Sequence, residues 1–249
     1  MRIFWVLLRR ELSSFFFSLT GYVLIAAVTL IIGSSFVMLI RNLGSDPFSM
    51  PVTELFFNSL MYWLIVILIA PVITMRLFAL EKASGTFETL MTTPVGDLQV
   101  VLAKFFAAMI FYLLAWLPSL VSLFLVQRFT HQPRLEAGLL GGMYLGILLS
   151  GGLFLSIGCL ASALTKSQMV ASVISLAVGI MLFILAYMAQ VVPATVTQQT
   201  DLLFYFNLFK QMEDFTRGAV DTRAVIFYVS ATFLFLFLTL RVVESRRWK

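Results

Sequence analysis

The chain is predicted to fold as an all-α membrane protein with six transmembrane helices, and three observations carry that reading. Hydrophobic residues make up 61% of the 249 and charged residues 12%, against roughly 45–50% and 25% in soluble domains. Mean hydropathy is +1.00. Six stretches hold no Asp, Glu, Lys, Arg or His: Leu12–Ile40, Leu55–Met75, Phe105–Gln127, Ala137–Thr165, Ser167–Thr200 and Ala224–Leu240. A bilayer crossing takes about 20 mainly apolar residues, so each stretch supplies one span.

Taken in order, residues 1–18 place Phe4, Trp5, Leu8 and Leu12 along one helical face, with Arg9 and Arg10 elsewhere. That pattern predicts an interfacial helix before the first crossing, although Val6 and Leu7 fall on its polar side. Spans are expected near 19–40, 55–75, 105–127, 138–162, 169–192 and 222–241. The fifth ends near Val192, where Pro193 and the polar run Thr195–Thr200 follow. Between the second and third lies the largest polar loop, residues 76–104. Residues 203–218 form a second amphipathic element: Phe204, Leu208, Met212 and Phe215 share one face at 100° per residue, polar side chains take the other, and Gly218 closes the helix. The whole chain, 1–249, reads as one transmembrane domain.

Orientation follows from Lys and Arg, which cytoplasmic segments retain. With both termini inside, inner segments hold 11 of the 17 basic residues and outer segments 6. The loop 76–104 is then cytoplasmic and helix 203–218 is outside. The first span is followed by Arg41 to Pro47 and not by a small-residue cleavage site, so it is expected to be retained.

Several functions are excluded by what the sequence lacks. Ion-coupled carriers place Asp, Glu, His or Arg near the bilayer midplane, and none of the six predicted spans contains one. The sole histidine, His131, lies in an outer loop, and the sole cysteine, Cys159, sits among small residues, so neither a hydrolytic triad nor a metal site is expected. A charged ring or filter sequence of a channel is missing, as is a Gly-x-x-x-x-Gly-Lys-Ser/Thr phosphate loop. The pI of about 9.6 reflects orientation and not nucleic-acid binding, since no basic stripe on a soluble domain accompanies it. In the fourth span Gly138, Gly142, Gly146 and Ser150 recur every fourth residue, a groove for close helix packing within the subunit or at an interface. Pro71 and Pro118 lie inside the second and third spans, where each tends to kink the helix.

The loop carries the most specific pattern: Glu81-Lys82-x-x-Gly85-Thr86-Phe87-Glu88-x-Leu90-x-x-x-Pro94, followed by Lys104. It resembles the cytoplasmic pattern of ABC-2 type transporter permeases, with Lys82 where arginine is frequent in the family. Phe204–Phe215, Arg217 to Asp221 and the tail Arg241 to Trp248 resemble the subgroup that includes the nitrous-oxide-reductase maturation and gliding-motility-associated permeases. The resemblance implies an ABC-2, type V exporter-like fold in the bacterial cytoplasmic (inner) membrane, with both termini cytoplasmic. It implies a pair of permeases, a second copy or a paralogue, each engaging a separate cytosolic ABC ATPase. An accessory membrane protein is a further partner it allows. No cofactor is implied in this chain; ATP and Mg would be bound by the ATPase.

Carried onto this sequence, the resemblance makes Gly85–Leu90 a short coupling helix, with Glu81, Lys82 and Glu88 as electrostatic contacts to the ATPase and Thr86 as its cap. Phe87, Leu90 and Pro94 complete the ATPase-coupling set. Phe204, Leu208, Met212 and Phe215 become candidates for an outer gate. The expected function is that of a permease coupling ATP hydrolysis by its partner to export or force transmission. The alternative is a non-transporting scaffold or receptor anchoring a cell-envelope assembly.

Overall fold

The computed structural model of the chain describes residues 2–43, 52–87, 95–130, 137–191 and 206–245. Among them run, in order, α1 (Arg2–Phe16), α2 (Leu19–Leu43), α3 (Val52–Phe57), α4 (Leu60–Thr74), α5 (Ala79–Ser84), α6 (Asp97–Thr130), α7 (Ala137–Leu164), α8 (Gln168–Val191), α9 (Leu208–Thr216) and α10 (Thr222–Ser245), with no strand. Among the described residues six segments are long and apolar enough to cross a membrane: Leu19–Leu39, Leu60–Ser84, Asp97–Leu125, Gly138–Leu164, Gln168–Val191 and Thr222–Ser245.

Burial sorts these spans into two layers. In α7 83% of the most apolar window is buried, and in α4 and α6 67%, whereas α2, α8 and α10 stand at 11–22%. The outer helices turn Leu, Val, Met and Phe outward, a surface suited to lipid or another membrane helix and not to water. α7 is central because small residues let its neighbours approach the backbone. A Cβ at Gly158 would collide with Thr74, one at Gly151 with the Tyr112 ring, and one at Gly142 with the carbonyl of Phe215. Tyr62 and Ser150 lock α4 to α7 through a hydroxyl pair at 2.9 Å. Ser150 donates to the Gly146 carbonyl at 2.7 Å, which leaves Tyr62 to donate to it.

The structure places several element boundaries differently from the sequence reading. The stretch taken as one span from residue 55 is divided at Asn58-Ser59: the Ser59 hydroxyl donates to the Phe56 carbonyl at 2.6 Å, ending α3, and the crossing helix starts at Leu60. α6 begins at Asp97 and not near 105. Lys104 is therefore two turns inside a spanning helix and 2% exposed, so this span holds an ionisable residue after all. On α1 the buried stripe is Leu7, Leu8, Glu11 and Phe15, while Trp5 and Val6 are exposed. Packing against α6, where Phe15 stacks on Phe111 at 4.9 Å, selects a different face from the one hydrophobicity alone favours.

At the opposite end of the bundle α9 lies across α7 with Leu208, Met212 and Phe215 buried. Its ends are closed by side chain and backbone. Asn207 Oδ1 accepts from the Lys210 N–H at 3.1 Å, satisfying a first-turn donor. Gly218, at φ 78°, lets its own N–H reach the Phe215 carbonyl and the Ala219 N–H the Asp214 carbonyl, the paired bonds of a left-handed helix stop.

Candidate functional site

Charge gathers where α1, α5 and the first turns of α6 meet, and the turn from α4 into α5 is what brings it together. Ser162 on α7 accepts from the backbone N–H groups of Phe78 and Ala79, at 3.1 Å each, and donates to the Met75 carbonyl at 3.2 Å. One hydroxyl thus satisfies three backbone groups of a turn that has no helix of its own. The turn fixed in this way aims Glu81 at α6.

There Glu81 Oε1 lies 3.0 Å from Lys104 Nζ and 2.8 Å from the Arg10 guanidinium. Glu11 Oε1 meets the same two cations, at 3.1 and 2.8 Å. Two carboxylates and two cations from three elements form one neutral quartet, with Lys104 at its centre and 5.4 Å from the Phe78 ring. Burial by itself would raise the Glu11 carboxyl, but the Lys104 charge and the hydrogen bond from Arg10 outweigh it and hold the group below the ordinary carboxylate range. Burying charge costs several kcal/mol per ion unless partners are in place. The quartet is therefore stable only as a set, which ties α1, α5 and α6 to one another.

Of the sequence-predicted coupling residues, Glu81 belongs to this quartet and Lys82 does not face outward. Lys82 is buried, donates to the Ala163 carbonyl and lies 5.2 Å from the Phe87 ring. It places a cation on a terminal carbonyl of α7, where the helix dipole favours positive charge. Gly85 caps α5 in the left-handed region at φ 75°, and Thr86 and Phe87 directly after it are helical. Thr86, exposed, has its hydroxyl 2.8 Å from that of Ser84 and 3.4 Å from the Glu81 carbonyl, while Phe87 is buried. Glu88, Leu90 and Pro94 lie outside the described residues.

The predicted packing and gate residues meet each other at the far end. Gly142 and Gly146 face Phe215 and Met212 of α9, whereas Gly138 has open space where a side chain would stand. The glycine groove is thus filled from within the subunit, and Phe204 lies outside the described residues. Beside it Arg217 reaches Glu54 of α3 and Glu213 of α9, both at 2.5 Å, and Asn58 approaches Glu213 at 3.5 Å.

Sequence reasoning missed Glu11, Ser162 and the Glu54–Arg217 pair. Glu11 was signalled by its spacing, three after Leu8 and four before Phe15, which puts an acid inside an apolar stripe and demands a buried cation. Ser162 carried no signal among the small residues around Cys159. Among the described residues no three His, Cys, Asp or Glu side chains gather as a metal site would require.

Compared with known families, residues 12–243 match the model described as ABC-2 family transporter protein. Among curated proteins none matches the chain.

Proposed function

The chain belongs to the ABC-2 family of transporter proteins, and from that premise we propose that it is a permease subunit driven by a separate cytosolic ABC ATPase. It works as a pair, with a second copy or a paralogue, in a bacterial cytoplasmic membrane. ATP and Mg are bound by the ATPase, and the face engaging it is the loop after α5, Gly85 to Pro94, with Glu88 and the exposed Thr86 as its polar contacts. Glu81 and Lys82 hold the root of that loop. α9 is the outer gate, moving against α7 as the spans rearrange.

The observation that supports this reading best is the quartet. A loop rooted at Glu81 shares one ion network with α1 and with the spanning helix α6, so displacement of the loop is passed into the bundle and not absorbed by a slack connector. Buried charge networks have few alternative arrangements, which suits transmission of a discrete motion.

Co-purification of the ATPase and ATP turnover in reconstituted membranes test the reading. Gly85→Pro forces φ from 75° to about −65° and is expected to abolish both, and Glu88→Lys to weaken association, while Lys210→Ala, at an exposed position of α9, leaves both intact. Wild-type association and turnover in both loop variants would make the loop a solvated connector and remove the support for ATPase engagement there.

A further inference from the structure

Between α1, α5 and α6 the quartet borders a cleft of about 320 Å³, whose charged lining is Arg10, Lys104 and Arg76 against Glu11 and Glu81. The quartet takes up all of these except Arg76 and is neutral. The cleft therefore carries one uncompensated positive charge, on Arg76. Among the described residues Arg76 meets no carboxylate: its Nη1 donates to the hydroxyls of Ser18, at 3.1 Å, and Thr20, while Nε and Nη2 donate to none of them. Two hydroxyls thus hold the guanidinium in place and leave the rest of its planar fork of donors unspent at the cleft wall.

We propose that this cleft binds a phosphodiester monoanion, the headgroup phosphate of an anionic membrane lipid, with Arg76 as its ligand. A guanidinium offers such a group two parallel N–H donors, and a single negative charge completes the balance of the lining. Zwitterionic headgroups fit less well. Their phosphate can meet Arg76, but the ammonium it carries enters a cleft where Arg10, half exposed, presents like charge, and where each carboxylate is already shared by two cations. Lipid is favoured as the source by position. Ser18 and Thr20 flank Leu19, where the first span begins, and Arg76 follows the last residue of α4 by two, so the guanidinium stands where spans leave the hydrocarbon. Phe17 and Leu19, beside the two hydroxyls, are 90% and 81% exposed. That much apolar surface next to a held cation suits the glycerol and upper acyl region of a lipid and not a freely dissolved anion.

The test uses the full-length permease alone in nanodiscs of mixed lipid and reads lipid retention by native mass spectrometry, so it does not depend on ATPase engagement. Phosphatidylglycerol is expected to be retained roughly tenfold over phosphatidylcholine, the scale of one hydrogen-bonded charge pair. Phosphatidylethanolamine, also zwitterionic, should behave like phosphatidylcholine. Arg76→Gln should abolish the preference, and Arg76→Lys, which keeps the charge without the fork, should retain part of it. Arg9→Gln removes an exposed charge of α1 that does not line the cleft, and should leave the preference intact. Equal retention of phosphatidylglycerol and phosphatidylcholine by the wild type, or a preference that survives Arg76→Gln, overturns the proposal. Loss of the preference in Arg9→Gln as complete as in Arg76→Gln would reduce it to the general attraction of a basic surface and overturn the site. Displacement of phosphatidylglycerol by millimolar glycerol phosphate would assign the cleft to a free anion and overturn the lipid source.

Discussion

Lys104 and Glu11, 93 positions apart in the chain, stand 3.1 Å apart with the Lys104 ammonium almost wholly withdrawn from solvent. Glu81 completes the contact from a third element, at 3.0 Å from the same nitrogen. The ammonium is thus the one group that both carboxylates share from within the bundle, since Arg10, the other shared cation, is half exposed.

Lys104→Met keeps the side-chain length and removes the charge, leaving Glu11 and Glu81 side by side with only Arg10 to neutralise them. Breaking a buried pair by removing one partner costs about 3–5 kcal/mol, and the partial exposure of Glu81 places this site at the low end. Thermal unfolding of the detergent-solubilised protein should show a clear loss for Lys104→Met and a smaller one for Lys104→Arg, which keeps the charge. Equal stability of wild type and Lys104→Met would show that the quartet is not a tie.

The pH dependence of that tie follows from the sign of the Glu11 shift. Its carboxyl is held low in the folded state, so the folded protein binds fewer protons than the unfolded one as pH falls through the carboxylate range. The stabilisation is complete above the ordinary glutamate pKa of about 4.3 and is lost as pH drops through the lowered folded value. Melting curves of wild type and Glu11→Gln should differ at pH 7 and converge under acid. A gap that widened on acidification would reverse the assignment.

The six spans and the amphipathic α9 were legible because lipid imposes a length and a composition that the sequence must display. The start of the second span was not, because Asn58-Ser59 breaks the helix through a local hydroxyl bond in a run with no charge to mark it. Lys104 was misplaced for the opposite reason. A charge reads as the end of a span when its partner, Glu11, lies 93 residues away, and only the fold shows that the two cancel. The same blindness put Lys82 on the surface, although its target is a backbone carbonyl, a group every residue carries.

Gly142 and Gly138 are one turn apart on α7 and should respond oppositely to alanine. A Cβ at Gly142 meets the Phe215 carbonyl and, at 3.2 Å, the Gly218 Cα. These are backbone atoms that cannot rotate away, and overpacking of this kind costs about 1–3 kcal/mol. At Gly138 nothing lies within 4 Å, and replacing a helical glycine where space allows gains about 0.4–1 kcal/mol. Unfolding temperatures that moved in the same direction for both would mean α9 does not occupy the groove.

Sidedness is testable at exposed positions on the two ends of the bundle. In a Cys159→Ser background, Ser84→Cys and Lys166→Cys should label with an impermeant maleimide from one side of the membrane and Lys210→Cys from the other. The 11 to 6 distribution of basic residues predicts that the first pair is cytoplasmic. Labelling of Lys210→Cys from the same side as Ser84→Cys would refute the arrangement of the last two spans.

Arg217 joins α3 to α9 through a single guanidinium nitrogen that reaches Glu54 and Glu213, each at 2.5 Å, and the hydrogen bond it donates to Glu54 leads the effects that raise the Arg217 pKa. Glu54 is buried, so its carboxylate depends on that partner, whereas Arg217 itself stays in contact with solvent. Arg217→Ala should leave Glu54 unpaired and loosen α9 from α3, seen as faster amide exchange across Leu208–Thr216. Arg217→Lys, a point charge without the planar fork, should fall between the two. Glu54→Gln removes the stranded charge, so adding it to Arg217→Ala should recover part of the protection, the non-additivity expected of residues in direct contact. Identical exchange in wild type and Arg217→Ala would show that α9 is held by Met212 and Phe215 against the α7 glycines alone, and the ion pair would then have no part in holding the cap.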